Sequence, residues 1–376
     1  MKNFNAGRYI NQGLYKSFSP NPINRNWIID DMSVISLLSK ADQCIGRLDM
    51  YSQYIPNISL FISMHIVKEA TKSSGIEGTQ TTMVDALQEK EEIPLDKRDD
   101  WAEVQNYIKA MREAVDNLHN LPISARFIRD MHKTLMQGVR GEHKQPGEFR
   151  LSQNWIGGSS PNNAVYVPPT FQEVPELVGD IEKFIHEPVC NMPELIKIAI
   201  IHYQFETIHP FNDGNGRTGR LLVPLYLVSC GILKEPILYL SDYLEKHRRV
   251  YYDKLTDARE KNDITNWIKF FLEGIIETAQ KGTDTLNALM NLQKEIDTKI
   301  QTTMGNRSAN AAKLVDILYV NPFIDTTKAA ELLGITFPSA NTLLLELEKR
   351  EIVKEITGNK RGKYYAMTKY LDLFTN

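Results

Sequence analysis

The sequence predicts a mainly α-helical protein with a β-hairpin flap and a winged helix-turn-helix at its C-terminal end. Three observations predict this. Apolar side chains recur at spacings of three and four along most of the chain, the period of an amphipathic helix. That pattern breaks between Gly147 and Pro169, where two short strand-like runs flank a turn-rich loop. From about Ser308 the chain becomes compact and differently patterned, with short helical runs around Gly334 and two strand-like runs after them.

The elements follow in order. Residues 33–55 and 59–73 carry helical stripes, with Leu60, Met64, Val67 and Thr71 down one face. A charged stretch, Glu89 to Asp100, leads to Trp101–Leu118, where Val104, Ile108, Met111 and Val115 are three and four apart. A short helix is expected over Ser124–Gln137, with Ser124 as its N-cap. After the predicted flap, helices resume at Val174–His186 and Pro193–Thr207. Ile264–Met304 reads as one long helix or two stacked ones.

Composition narrows the class. The chain has 376 residues, 42% hydrophobic and 24% charged, which excludes a mostly disordered or collagen-like protein. At roughly 150 residues per domain, two or three domains are expected. The formal net charge of −3 gives no global basic field for nucleic acid. Cys44, Cys190 and Cys230 lie far apart, with neither a disulfide framework nor zinc spacing, which fits a reducing cytoplasm. Met1–Ile10 lacks the apolar core of a signal peptide, and Leu221–Leu233 is too short and too interrupted to span a membrane.

One stretch carries chemistry: His209-Pro-Phe-Asn-Asp-Gly-Asn-Gly-Arg-Thr-Gly-Arg220. Pro210 disfavours a helical His209, so the preceding helix should end there. Asn212 to Gly216 are turn residues, and an apolar-rich helix is expected from Arg217. A glycine loop at a helix start turns backbone N–H groups outward and makes an anion site. Arg217 and Arg220 share the first helical turn and suit a polyphosphate. Asp213 supplies one carboxylate for a hydrated Mg²⁺, and His209 is the local group able to take a proton near neutrality. Gly214, Gly216 and Gly219 also satisfy a dinucleotide-binding pattern, but that needs a preceding apolar strand, and Tyr203–Asp213 is polar and broken by proline. The bland alternative is a glycine turn capping a helix. His209, Phe211 and Asp213 in register speak against it.

These residues resemble the signature of the Fic family, His-x-Phe-x-Asp/Glu-Gly-Asn-Gly-Arg-x-x-Arg, with every fixed position present. Ile201–Ile208, Pro146–Arg150, Asn154–Gly158 and Val167–Pro169 extend the resemblance, which is similar to a bacterial subgroup with an N-terminal extension and a C-terminal winged helix. It implies transfer of AMP from ATP to a Ser, Thr or Tyr hydroxyl of a protein substrate, the enzyme itself included. His209 would be the catalytic base. Gly214, Asn215, Gly216, Arg217, Thr218, Gly219 and Arg220 would hold ATP, Arg217 on the α- and β-phosphates and Arg220 on the γ-phosphate. Asp213 would bind Mg²⁺. Tyr251, beside Tyr252, would line the nucleotide pocket, and Phe211 would face the core. Ile156, Gly157 and Gly158 of the flap would dock the target by backbone pairing. Arg259 departs from the asparagine some relatives place there.

Ser73-Ser-Gly-Ile-Glu77-Gly78 resembles the family's inhibitory pattern, Ser/Thr-x-x-x-Glu-Gly/Asn. It implies that Glu77 pairs with Arg220 and occupies the γ-phosphate subsite. In some relatives the same glutamate aids removal of AMP, so a de-AMPylase or bifunctional enzyme is the alternative.

At the C-terminal end, Thr326–Leu333, a turn at Gly334–Pro338 and Ser339–Arg350 read as helix–turn–helix. Glu351–Val353 and Lys363–Met367 read as strands joined by the wing Gly358–Gly362. Residues 308–376 hold nine Lys+Arg and eight Asp+Glu, a net charge of +1, so protein docking or dimer packing is at least as well supported as DNA binding. A DNA-binding regulator with a vestigial core, or a scaffold held shut by Glu77, are the readings from other classes. The expected division is 1–110, an N-terminal helical region with the inhibitory helix at about 59–78; 111–280, the catalytic core; 281–307, a linker; and 308–376, the winged helix. A homodimer is expected only from the commonness of symmetric pairs.

Overall fold

A computed structural model describes residues 1–2, 4–55, 58–139, 142–358 and 362–375. The chain opens with an antiparallel hairpin, β1 (Gly7–Asn11) and β2 (Lys16–Pro20), in register from Gly7↔Pro20 to Asn11↔Lys16. Helices follow: α1 (Met32–Gln53), α2 (Ile58–Ile76), the single turn α3 (Met83–Ala86), α4 (Arg98–Leu118) and α5 (Ala125–Met136). After the flap segment come α6 (Val174–His186), α7 (Glu194–Ile208), α8 (Asn215–Ser229), α9 (Ser241–Lys246), α10 (Arg248–Lys261) and α11 (Ile264–Thr303). The C-terminal part holds α12 (Ser308–Val320), β3 (Phe323–Asp325), α13 (Thr326–Leu333), α14 (Phe337–Lys349), β4 (Lys354–Glu355), β5 (Tyr364–Ala366) and α15 (Thr368–Thr375). Its three strands are antiparallel in the order β3-β5-β4.

α7 organises the core. Every residue from Leu195 to Ile208 is buried, the mark of a helix enclosed on all sides. α8, α11, α6, α1 and α10 surround it, and the Trp267 indole donates to its Ala199 carbonyl at 2.8 Å. α11 runs unbroken for 40 residues, about 60 Å at 1.5 Å per residue. Its apolar stripe packs along α1 and continues to Ile300, which carries the core into the C-terminal part. There α15 lays Phe374 against Phe61 and His65 of α2 at ring distances of 6.1 and 5.3 Å. One hydrophobic cluster joins side chains from Ile23 to Phe374. Among the described residues no helix is long and apolar enough to cross a membrane.

Several expectations change. The flap is not a regular hairpin: among the described residues its pairing is a single antiparallel bridge, Ile156↔Tyr166, with a short 3-10 turn at Pro161–Asn163 between. Gly157 and Gly158 at φ 70° and 73° curl the first arm, and Pro168-Pro169 removes donors from the second. The N-terminal hairpin was not expected; it backs the flap, with Phe18 N–H donating to Val167 O at 2.9 Å. α4 begins at Arg98, where Asp99 and Asp100 favour a helix start. α8 begins at Asn215 rather than Arg217, and α14 at Phe337, capped by Thr336 on Ser339 N–H. The strand expected at Glu351–Val353 falls at Lys354–Glu355. The tip of the expected wing, Asn359, Lys360 and Arg361, lies outside the described residues.

Candidate active site

His209 sits at the C-cap of α7 with φ 51° and ψ 59°, a left-handed conformation that costs a non-glycine residue energy. The surroundings hold it there. Arg150, 1% exposed, donates from Nε to the His209 carbonyl at 3.0 Å and from Nη1 to the Ser152 carbonyl at 3.2 Å. Its Nη2 reaches the carbonyls of Pro169 and Ile208, and its own N–H donates to Pro210 O at 3.0 Å. Asn154 Nδ2 donates to the carbonyls of His209, at 3.1 Å, and Phe211, at 2.9 Å. The turn after α7 and the flap are thus stitched together by one buried guanidinium and one amide.

The loop closes on itself. Asn215 Oδ1 accepts the Phe211 N–H and its Nδ2 donates to the Phe211 carbonyl, both at 2.8 Å. The Asn215 side chain is therefore spent on the loop, and the group it can offer a ligand is its backbone N–H at the start of α8. Thr218 is likewise committed, its hydroxyl donating to Gly214 O at 2.8 Å. Gly214, at φ 74°, has Met136 Sδ 2.6 Å from where a Cβ would stand. Phe211 is fully buried and stacks on His132 at 3.7 Å and 3°.

His132 was not singled out from the sequence. Its Nδ1 accepts the Gly147 N–H at 2.9 Å, so the ring proton is on Nε2, which donates to the Asp213 carbonyl at 2.9 Å. Burial lowers its pKa to about 4, so the ring is a neutral clamp. The Asp213 carboxylate is 49% exposed, accepts the Gly214 N–H at 2.6 Å, and lies 3.9 Å from Arg217 Nη2.

Both arginines of the motif are engaged by upstream glutamates, Glu77 just past α2 and Glu103 on α4. Arg220, 2% exposed, donates from Nη2 to Glu77 Oε1 at 2.7 Å, from Nε to Ser73 Oγ at 2.8 Å and from Nη2 to Ser73 O at 2.9 Å. Burial works to raise the Glu77 carboxyl, but the guanidinium outweighs it and holds it below the usual carboxylate value. Arg217 Nη1 donates to Glu103 Oε2 of α4 at 3.0 Å, with side chains 5% and 9% exposed. Glu103 was missed because it looks like any polar position of an amphipathic helix.

These groups face one cleft of about 330 Å³, lined by Glu77, Glu206, His209, residues 212–217, Arg220, Tyr251, Tyr252 and the flap residues Trp155, Ile156 and Gly157. Burial, with Arg150 nearby, lowers the His209 pKa to about 4 against the pull of Glu77, so the imidazole is neutral at pH 7. Its Nδ1 has no hydrogen-bond partner among the described residues. Tyr251 is fully buried and its hydroxyl is 3.0 Å from His202 Nε2, while His202 Nδ1 is 3.0 Å from the Gly219 carbonyl. It forms the pocket wall with its hydroxyl turned to the core. Arg259 stacks over the Tyr166 ring at 4.1 Å. On the flap, Ile156 spends both its N–H and its carbonyl on Tyr166. Among the described residues the backbone groups of Trp155 and Gly157 on either side make no hydrogen bond. Gly158 turns the chain at φ 73°, its Cβ position 2.4 Å from the Asn163 carbonyl oxygen.

Residues 35–116 match a family described as Fic/DOC family N-terminal, and residues 122–227 match the Fic/DOC family itself. A curated relative named protein adenylyltransferase Fic, from Aedes aegypti, is 26% identical over 275 residues, covering 69% of this chain and 52% of the relative. One of the same name from Drosophila grimshawi is 28% identical over 236 residues, covering 61% and 45%. The chain spans about half the length of the curated relatives it matches. Among solved structures, a Fic family protein from Desulfovibrio desulfuricans G20 shares the fold with a TM-score of 0.56 at 20% identity, covering 91% of this chain and 97% of that one. A Fic domain containing signaling protein from Bacteroides thetaiotaomicron VPI-5482 does so with a TM-score of 0.52 at 18% identity, covering 66% and 98%.

Proposed function

The chain belongs to the Fic/DOC family, and from that premise we propose that it is a protein adenylyltransferase, moving AMP from ATP to a Ser, Thr or Tyr hydroxyl and releasing pyrophosphate. The observation that carries this reading is the convergence of His209, the helix start at Asn215–Arg217 and two arginines on one cleft beneath the flap. The orphan N–H groups of that helix start and Arg217 suit the α- and β-phosphates, and Arg220 suits the γ-phosphate. His209, neutral and lining the cleft, removes the proton of the incoming hydroxyl. The hydroxyl oxygen forms a bond to the α-phosphorus as the bond to the pyrophosphate oxygen breaks. Asp213, a half-exposed carboxylate facing the phosphate end of the cleft, fits a Mg²⁺ that is otherwise held by water and phosphate oxygens. Such an ion supplies charge neutralisation at the phosphates.

Glu77 is the brake. It occupies the guanidinium that the γ-phosphate needs, and Ser73 holds that guanidinium in place. Trp155 and Gly157 present the flap edge to an extended target segment, as edge strands do. Residues 308–376 we read as a winged helix that docks protein, since its net charge is +1 and α15 already packs on α2.

The test is transfer of label from ATP to protein by the full chain and by Glu77→Gly. Label from α-³²P-ATP, none from γ-³²P-ATP, and loss of the α-label with His209→Ala is expected. Transfer of the γ-label would make the enzyme a kinase and overturn the reading.

A further inference from the structure

One carboxyl in the cleft has no place in the chemistry above. Glu206 stands on α7, three residues before His209, and is 8% exposed. Its Oε1 is buried without a hydrogen-bond partner among the described residues. A buried carboxyl without a partner is costly, and it persists where a ligand completes it. The neighbouring Arg220 guanidinium pulls on it through space but donates no hydrogen bond to it, its Nε and Nη2 going to Ser73 and Glu77.

Gly219 leaves room for this carboxyl where it now stands. A Cβ on Gly219 would stand 2.4 Å from Glu206 Oε1, just as one on Gly216 would stand 2.4 Å from Glu77 Oε1. The two glycines are one turn apart on α8, so the two carboxyls lie along one face of that helix. Gly216 is a fixed position of the motif, whereas Gly219 is not.

A carboxyl of this kind cannot face a triphosphate, since like charges in a buried cleft repel strongly. The α- and β-phosphates belong at the Asn215–Arg217 end. Glu206 shares the cleft wall with Tyr251 and Tyr252, whose rings suit the uncharged part of the nucleotide. We propose that Glu206 is the specificity-determining residue for the nucleoside, accepting a hydrogen bond from one of its neutral donors, a ribose hydroxyl or the exocyclic amine of adenine. This rests on the ATP-dependent reading above. Burial, against the pull of Arg220, raises the Glu206 pKa to about 7, which suits a group that meets a neutral donor rather than a cation. A site built to bond a substrate N–H or O–H discriminates against the analogue that lacks it, because the carboxyl is then left unpaired.

The experiment is calorimetric titration of the full chain carrying His209→Ala, so that no turnover occurs, with ATP, 2′-deoxy-ATP, 3′-deoxy-ATP and inosine triphosphate. The expected result is that one analogue binds about ten-fold more weakly than ATP, and that Glu206→Leu weakens ATP about ten-fold while leaving that analogue unchanged. Which analogue it is names the donor. Glu206→Gln keeps the shape of the side chain and should fall between. Equal affinity for all four nucleotides in the parent overturns the proposal without any Glu206 variant. Equal weakening of all four by Glu206→Leu, shared by inorganic tripolyphosphate, also overturns it, since the carboxyl would then act through Arg220. If the parent binds no nucleotide at all, the adenylyltransferase reading falls too; if it binds ATP and the Glu206 pattern fails, only the Glu206 assignment falls.

Discussion

Glu77 Oε1 lies 2.7 Å from Arg220 Nη2, closing an ion pair across 143 residues of chain. The arginine is 2% exposed and the glutamate 38%, so the pair sits at the lip of the cleft, anchored on its arginine side. A phosphate that approaches this lip competes with a carboxylate already in place.

Replacing Glu77 with glycine should therefore raise automodification, the reverse of most changes beside an active site. The gain should vanish in Glu77→Gly/Arg220→Ala, because the freed guanidinium is what aligns the phosphates. Autoradiography after α-³²P-ATP reads both. An unchanged single mutant, or a gain that survives loss of Arg220, contradicts the brake. A gain in transfer with loss of AMP removal from a modified target would add a second role for Glu77.

His209→Ala should cut transfer by roughly 10²–10⁴-fold while ATP binding holds. The folded His209 pKa of about 4 lies below its ordinary value of 6.5, so the base stays neutral well into acid. The acid limb of kcat/KM in the free enzyme should accordingly fall below pH 6. The linked effect on stability has a definite sign. The unfolded chain binds the proton first, so stability is full above pH 6.5 and is lost as pH falls toward 4. His132 and His202, also lowered to about 4 by burial, add to that loss. A Tm that rises on acidification from pH 7 to 5 would contradict this.

Asp213→Ala should weaken the magnesium dependence of transfer with little effect on Tm, since the side chain is half exposed and its carbonyl, not its carboxylate, is what His132 holds. The same magnesium titration curve in the mutant would put the ion elsewhere.

Glu103→Ala removes the partner of a buried arginine. A loss of about 3 kcal/mol in urea unfolding is expected, because the buried guanidinium keeps only the more distant, half-exposed Asp213 carboxylate. Nucleotide affinity should drop as well, since Arg217 loses its anchor at the cleft wall. Unchanged stability and unchanged affinity together would show that Arg217 needs no support from α4.

The full chain should bind duplex DNA no more tightly than a non-specific protein in a gel shift at physiological salt. Residues 308–376 carry a net charge of only +1, and phosphate neutralisation dominates DNA affinity. Tight, sequence-selective shifts would revive the regulator reading.

The helices were legible because periodicity is a local property: Val174–His186 and Thr326–Leu333 fall where the apolar spacing puts them. The flap was legible as a break in the pattern but not in form. A single bridge with glycine-curled and proline-broken arms leaves the same turn signals as a regular hairpin. The β1–β2 hairpin left almost no trace, because Gly-Arg-Tyr-Ile-Asn and Lys-Ser-Phe-Ser-Pro are short and barely alternate.

By itself the sequence determined where the chemistry would be. The run from His209 to Arg220 is contiguous, and its proline, glycines and helix start act within a few residues of one another. The tertiary structure alone decided what those groups are bonded to. Glu103 meets Arg217 across 114 residues and Arg150 meets the His209 carbonyl across 59. Glu206 Oε1 is left without a hydrogen bond while Arg220 beside it bonds Ser73 and Glu77 from far upstream. A side chain's identity is written in the chain, but its partner and its burial depend on which distant helix packs against it.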